Sequence, residues 1–265
     1  MRKIFQALLI VLGVGTLWAQ QEPSVVGVAT FLHIVSDLDQ SLDFYHGTLG
    51  LEMAGHAVPP KMLDSAPVAN MYGVPGKQYR AAVVKVPGSS LLLELVQWGP
   101  AQKPSRDPVV DPGAITLIWH RTDAANAGTT LHDPDGFPIQ VVQAENPGVE
   151  LSISVTDIGK TAATFKKVLG FKADGDWFTV PGGSTRIRLA KATGTAGLEI
   201  PFPSPGRGSV RLMAHNIAGL AGQLTAAGLT VVTTGEWPVQ LPYNGPKAMI
   251  LREPSSFGLQ LIEAK

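Results

Sequence analysis

The 265-residue chain contains no cysteine, so a disulfide framework, a thiolate metal site and a cysteine nucleophile are all closed to it. It also lacks a dominant charge. Lys and Arg total 21 against 21 Asp and Glu, which leaves no electrostatic footprint for nucleic acid. Charged residues are only 16% of the chain and aromatics 7%, while hydrophobics reach 45%, a balance that builds a core and excludes a disordered polymer. No apolar run reaches the roughly 20 residues that span a bilayer. The nearest approach is at the start, where Arg2 and Lys3 precede an apolar stretch from Ile4 to Trp18 broken by Gln6, glycines and Thr16. This pattern predicts a signal peptide over residues 1–19, cleaved after Ala19, and a periplasmic or secreted protein. Leu17 fits the minus-three position poorly, so a retained anchor stays open as the alternative. Outside the cell and without disulfides, the protein depends on its core alone.

At about 150 residues per domain the length predicts two domains, and an internal repeat says where they lie. The segment from Phe31 to Leu51 runs parallel to that from Leu151 to Phe171: Asp37 recurs as Asp157, Leu49 as Leu169 and Gly50 as Gly170, each 120 residues on. Each copy opens with an alternating strand, then an Asp that caps a helix by accepting a backbone N–H. In the first copy Leu38, Leu42, Tyr45 and Leu49 form one apolar helical stripe, which Gly50 ends. Three further blocks match in the same order. Arg80 to Trp98 aligns with Arg186 to Phe202 as a hairpin, placing Glu94 on Glu199; strands ending at His120 and His215 correspond; and the turn and strand Asp133–Val142 matches Glu253–Ile262. Between His120 and His132 the first copy is about 25 residues shorter, missing a helix and a strand, so its sheet needs cover from the other copy or from a second subunit in a homodimer. The predicted domains are 25–145 and 147–264.

The runs VSDLDQSLDFYHGTLGLE, LLLELVQW and DPDGFPIQVV resemble the vicinal oxygen chelate superfamily, which includes glyoxalase I, bleomycin resistance proteins and extradiol dioxygenases. The resemblance covers the chain from about residue 25 onward. It implies an α+β fold of tandem βαβββ modules curling into half-barrel cups, each holding a divalent metal and a small molecule. Carried over position by position, the ligand set becomes Thr30, Glu94, Ala114 and Gln140 in one copy, and Glu150, Glu199, Ser209 and Gln260 in the other. Neither contains histidine, the ligand that favours transition metals, so the implied metal is at most a weakly held divalent cation.

Reading alternation outward from these positions predicts one apolar cup with Thr30, Leu32, Glu94, Val96, Trp98, Ile118 and Gln140. A second, polar cup takes Glu150, Ser152, Ser209, Arg211 and Gln260, where Arg211 neutralises Glu150 or Glu199. Glu94, alone in the apolar strand LLLELV, is the sharpest candidate, because a buried carboxylate demands a partner. Arg80 or Lys85 could supply that partner instead of a ligand. His33 lies on the opposite side of the pleat from Thr30, which favours a hydrogen-bonded core histidine, though a bulge could turn it toward a metal. The Pro-rich segment 57–76, with a short helix expected over 64–71, is either a lid or ordinary loop packing.

Three functions remain open. One is a protein that binds a small, largely apolar molecule through Glu94, Trp98, Gln140, Thr30 and Ile118. The second is a divalent-metal-dependent lyase or dioxygenase using Glu94 and Gln140 with His33. The third is a structural module with vestigial cups.

Overall fold

The computed structural model describes residues 21–55, 58–100, 112–123, 126–194 and 203–265. The leader 1–19 and Glu199 lie outside this range. Four modules follow one another. The first is β1 (Ser24–Val35), α1 (Leu38–Leu42), β2 (Glu52–Ala54), α2 (Ala66–Met71), β3 (Tyr79–Lys85) and β4 (Leu92–Trp98). The second is β5 (Ile115–Arg121), β6 (Thr130–His132) and β7 (Pro138–Gln143), without the helix and the extra strand among the described residues, as its length predicts. The third is β8 (Gly148–Val155), α3 (Ile158–Lys167), β9 (Lys172–Asp174), β10 (Trp177–Thr179) and β11 (Arg186–Lys191). The last is β12 (Gly208–His215), α4 (Ile217–Ala226), β13 (Thr230–Val231), β14 (Val239–Gln240), β15 (Lys247–Arg252) and β16 (Gly258–Glu263).

Local chemistry sets the element ends. Asp37 and Asp157 are extended residues whose carboxylates accept N–H bonds from Asp39 and Gln40, and from Lys160, starting α1 and α3. The first helix does not continue in α form as its apolar stripe predicts; Asp43–Thr48 are wound as a π-helix until Gly50, at φ 71°, ends it. The wider turn brings the fully buried Tyr45 within 3.0 Å of Asp133, a bond that compensates the altered winding.

The described strands form two sheets of nine and seven strands, and here the expected grouping of modules is corrected. The nine-stranded sheet runs β13-β15-β16-β12-β1-β4-β3-β2, with β14 beside β15; the seven-stranded sheet runs β6-β7-β5-β8-β11-β10-β9. The first module therefore shares a cup with the fourth, and the second with the third. Neighbours in sequence did not become neighbours in a sheet, because β1 pairs antiparallel with β12 and β5 with β8. The outer faces of both sheets pack on one another and on α1, α3 and α4 as a single core containing Phe31, Leu93, Leu117, Trp119, Leu151, Leu212 and Leu259. That core covers the shortened second module: Leu117 and Ile139 are buried within the same chain.

Two turns tie the modules of each repeat copy together. The Ser36 N–H donates to Asp135 at 2.8 Å, and 120 residues on the Thr156 N–H donates to Ser255 at 2.9 Å. Asp133 is the more elaborate anchor. One of its oxygens accepts the N–H groups of Asp135 and Phe137, and the other accepts His33 Nε2 at 2.7 Å and the Tyr45 hydroxyl. Burial pushes the Asp133 carboxyl up, but His33, the Phe137 N–H and Tyr45 outweigh it and hold the carboxyl below its ordinary range. Asp135 goes the other way, raised by burial.

The two shifts have opposite consequences. Asp133, depressed on folding, adds stability that is present above its unfolded value near pH 4 and is lost as pH falls toward its folded value. Asp135, raised on folding, instead favours the native state as pH falls. Subtraction isolates Asp133. In urea titrations at fixed pH we expect Asp133→Asn to cost about 3 kcal/mol near neutrality, the scale of hydrogen bonds to a buried charged group, since the Asp133 carboxylate is bonded to four partners. The gap to wild type should narrow below about pH 4; a constant gap from pH 7 to pH 3 would refute the assignment.

Candidate functional site

The cup of the nine-stranded sheet is built where β1, β4, β12 and β16 meet. Along β1 the pleat sends Thr30, Leu32 and Ile34 into the cup and Phe31, His33 and Val35 into the core. Leu32 is in register with Glu94 of β4, and Thr30 with Arg211 of β12, which in turn faces Gln260 of β16. Thr30, Glu94, Arg211 and Gln260 thus converge on the cup floor.

Arg211 is the residue that the sequence reading misplaced. It neutralises neither Glu150 nor Glu199 but Glu94, with Nη2 2.5 Å from Oε2, and its Nε donates to Gln260 Oε1 at 2.9 Å. Both charged groups are largely buried, with 16% of each side chain exposed. Burial works against the guanidinium charge, yet the Glu94 carboxylate and the Tyr72 hydroxyl outweigh it and hold the Arg211 pKa above its usual range. Tyr72 and Tyr79 are pushed up first by burial and then by Glu94, so both hydroxyls stay protonated.

Above this floor the segment after β2 folds over the cup. The helix α2 packs Ala69 and Met71 among Leu32, Ile34, Val96, Trp98, Ala248 and Ile250. It is held down from the fourth module: the Thr234 N–H donates to Asn70 O, and the Thr233 hydroxyl to Met71 O. The segment thus packs over the cup, with Met71 and Tyr72 buried in the cluster. Beneath it remains a cavity of about 200 Å³, lined by Val68, Met71, Tyr72, Tyr79, Glu94, Val96, Arg211, Leu241, Gln260 and Ile262.

The predicted site residues therefore separate. Glu94 and Gln260, assigned to different cups, line one cavity. Trp98 is buried against Tyr72 and Tyr79, with ring centroids at 5.0 and 5.3 Å, and stands behind the cavity wall. Thr30 is buried beside Arg211. Ile118 and Gln140 do not join Glu94; they pair with each other across β5 and β7 in the seven-stranded sheet, in the row of Glu150. His33 turns away from Glu94 altogether, because it is in register with Leu95 and is fully buried on the core side of the sheet.

The second cup has the same layout with different charges. Ser152 is in register with Arg188 as Leu32 is with Glu94, so Arg188 stands at the place equivalent to Glu94, a position the hairpin alignment had given to Glu199. The strand to compare with β4 is β11, since each lies parallel beside the strand that opens its module. Glu150 is shared by His120 Nε2 at 2.9 Å and Arg186 Nη1 at 3.0 Å.

The fold family implies a divalent metal in such cups, and neither floor fits one. In the first, a guanidinium already engages the carboxylate and the amide that would be ligands. In the second, Arg188 and Ile118 stand where ligands are needed. Among the described residues one group has metal-binding composition: His33, Asp133 and Asp135, all buried, with ligand atoms within 4.8 Å of one another. In it His33 Nδ1 and Asp135 Oδ1 have no hydrogen-bond partner. It lies in the core behind the sheet, and its sequence signal is the DPDG turn, which the repeat and the family resemblance mark without pointing to its aspartates as ligands.

No protein-family model and no curated protein matches the chain. Among solved structures, glyoxalase I from Zea mays superposes with a TM-score of 0.60 over 91% of this chain and 93% of its own, at 15% identity. A Bacillus subtilis strain 168 protein described as a candidate dioxygenase gives 0.55 over 91% and 86%, also at 15% identity. At such identity the likeness is one of architecture: the chain has the α+β, two-cup fold of the vicinal oxygen chelate proteins.

Proposed function

We propose that this chain is an exported binding protein that holds a small, largely apolar molecule in the cavity of the nine-stranded sheet, without a metal on the cup floor. One observation supports this most: the Glu94–Arg211 pair occupies the floor as a neutral polar couple, while aromatic and aliphatic side chains make the walls. A site of this kind solvates one polar group of a ligand and buries the rest. With about 200 Å³ available, below the roughly 300–1,000 Å³ of common ligand pockets, the occupant is small unless α2 lifts. A divalent cation elsewhere is favoured by a separate observation, the buried His33, Asp133 and Asp135 group, where it would be structural.

Three measurements test this reading. A thermal-shift screen of small neutral aromatic and aliphatic compounds should raise the melting temperature of the wild type, and Val68→Trp, which fills the cavity, should abolish the shift; binding that survives Val68→Trp overturns the site. Metal analysis of protein purified without chelator should give the same content for wild type and Glu94→Gln. Stoichiometric zinc, nickel, manganese or iron lost on Glu94→Gln would refute the metal-free floor, whereas metal lost only on Asp135→Asn would assign it to the core group. Mass spectrometry of protein from the periplasm or medium should find an N-terminus at Gln20, and an intact Met1 would refute cleavage.

A further inference from the structure

The seven-stranded sheet carries a row of side chains that the first cup does not use. Trp177, Arg188, Ser152 and Thr116 are in mutual register across β10, β11, β8 and β5, and the pleat that turns Leu151 and Ile153 into the core turns these toward the second cup. The next row holds Arg186, Glu150 and Ile118. The charges in this cup are unevenly paired. Glu150 is already divided between His120 and Arg186, and Asp174, 82% exposed at its side chain, reaches Arg186 only at 3.7 Å.

Arg188 is left over. Among the described residues it forms no ion pair, and its Nε is buried without a hydrogen-bond partner. Its guanidinium carbon lies 5.4 Å from the Trp177 ring centroid, and that of Arg186 lies 4.7 Å from the same ring, so the aromatic face steadies both cations without neutralising either. A desolvated guanidinium nitrogen with nothing to donate to costs free energy that an anion would recover. The contrast with the first cup is direct, since Arg211 there has Glu94 and Gln260. Planar guanidinium suits a carboxylate through two parallel bonds, and the hydroxyls of Ser152 and Thr116 in the same row add neutral donors.

We infer that the second cup binds a small carboxylate-bearing molecule, its carboxylate on Arg188 between Ser152 and Trp177. This site is independent of the cavity under α2, so either can fail without the other. Calorimetry on the mature full chain tests it with benzoate as the probe, and benzamide and inorganic phosphate as comparisons. Benzoate should bind one-to-one and at least about tenfold more tightly than either comparison, the scale of a charge-assisted bidentate contact. Arg188→Gln should weaken benzoate by about tenfold or more, and Val68→Trp in the first cup should leave it unchanged. Ser152→Val, which keeps the charge, should also weaken binding and serves if Arg188→Gln fails to fold. The inference is overturned if benzamide or phosphate equals benzoate, if Arg188→Gln and Ser152→Val bind normally, or if Val68→Trp removes the binding.

Discussion

Everything in this molecule hangs on two antiparallel seams, β1 against β12 and β5 against β8. Each joins a strand of one repeat copy to a strand of the other, so neither copy closes a cup alone. Because side chains alternate along a strand, the same four strands must also furnish the core between the sheets. Phe31 and Leu32 illustrate this: adjacent in sequence and both fully buried, one packs in the shared core and the other in the cup. A one-residue slip in β1 would exchange those roles, sending His33 into the cup and Leu32 against the second sheet. The register is therefore set by core and cup together.

The turns that follow from this arrangement explain where the molecule places its buried polar groups. With the cups shared between copies, each copy still needs an internal tie, and the turns at Asp133–Phe137 and Glu253–Phe257 supply it. In the later copy Glu253 accepts the Thr161 hydroxyl and the Ser255 N–H, a compact version that needs no ring. In the earlier copy His33 and Tyr45 are added, and the helix is wound in π form where Tyr45 reaches in. The likeness of the two turns says that docking is their shared role. The added histidine is what gives the first one a metal-binding composition.

Much of the architecture was legible because it is local. The capping aspartates, the helix-ending Gly50, the shortened second module and the orientation of His33 all follow from short-range spacing. Pairing between modules was not legible, since strand alternation fixes which face a residue takes but not which strand it will meet. Thr30 and Glu94 were placed rightly in one cup for that reason, and Ile118 and Gln140 were wrongly added to it. The alignment of Glu94 with Glu199 failed for a related reason. It matched a gly-containing turn and an acidic residue, whereas the backbone equivalence runs through the parallel pairing of β4 and β11 with the opening strands and selects Arg188. A signal existed in the isolated arginines of RIRLAK, which alternate with apolar residues as inward polar positions do.

The two cups share one electrostatic logic with opposite outcomes. A divalent ion in a cup concentrates positive charge on the floor and is matched by several oxygen or nitrogen ligands. Here a guanidinium supplies that charge covalently, spread over a plane of fixed donors. In the first cup Arg211 sits on β12 and finds Glu94 across β1, so the floor closes on itself as an ion pair and presents little net charge to whatever occupies the cavity. In the second, the arginine has moved to the β4-equivalent strand, the β12-equivalent position is Ile118, and the carboxylate on the opening strand, Glu150, is held by His120 and Arg186. The same count of one acid and one base at the four floor positions therefore leaves one cup neutral and the other with a free donor. What distinguishes them is which strand carries the guanidinium, because that decides whether a carboxylate lies within its reach.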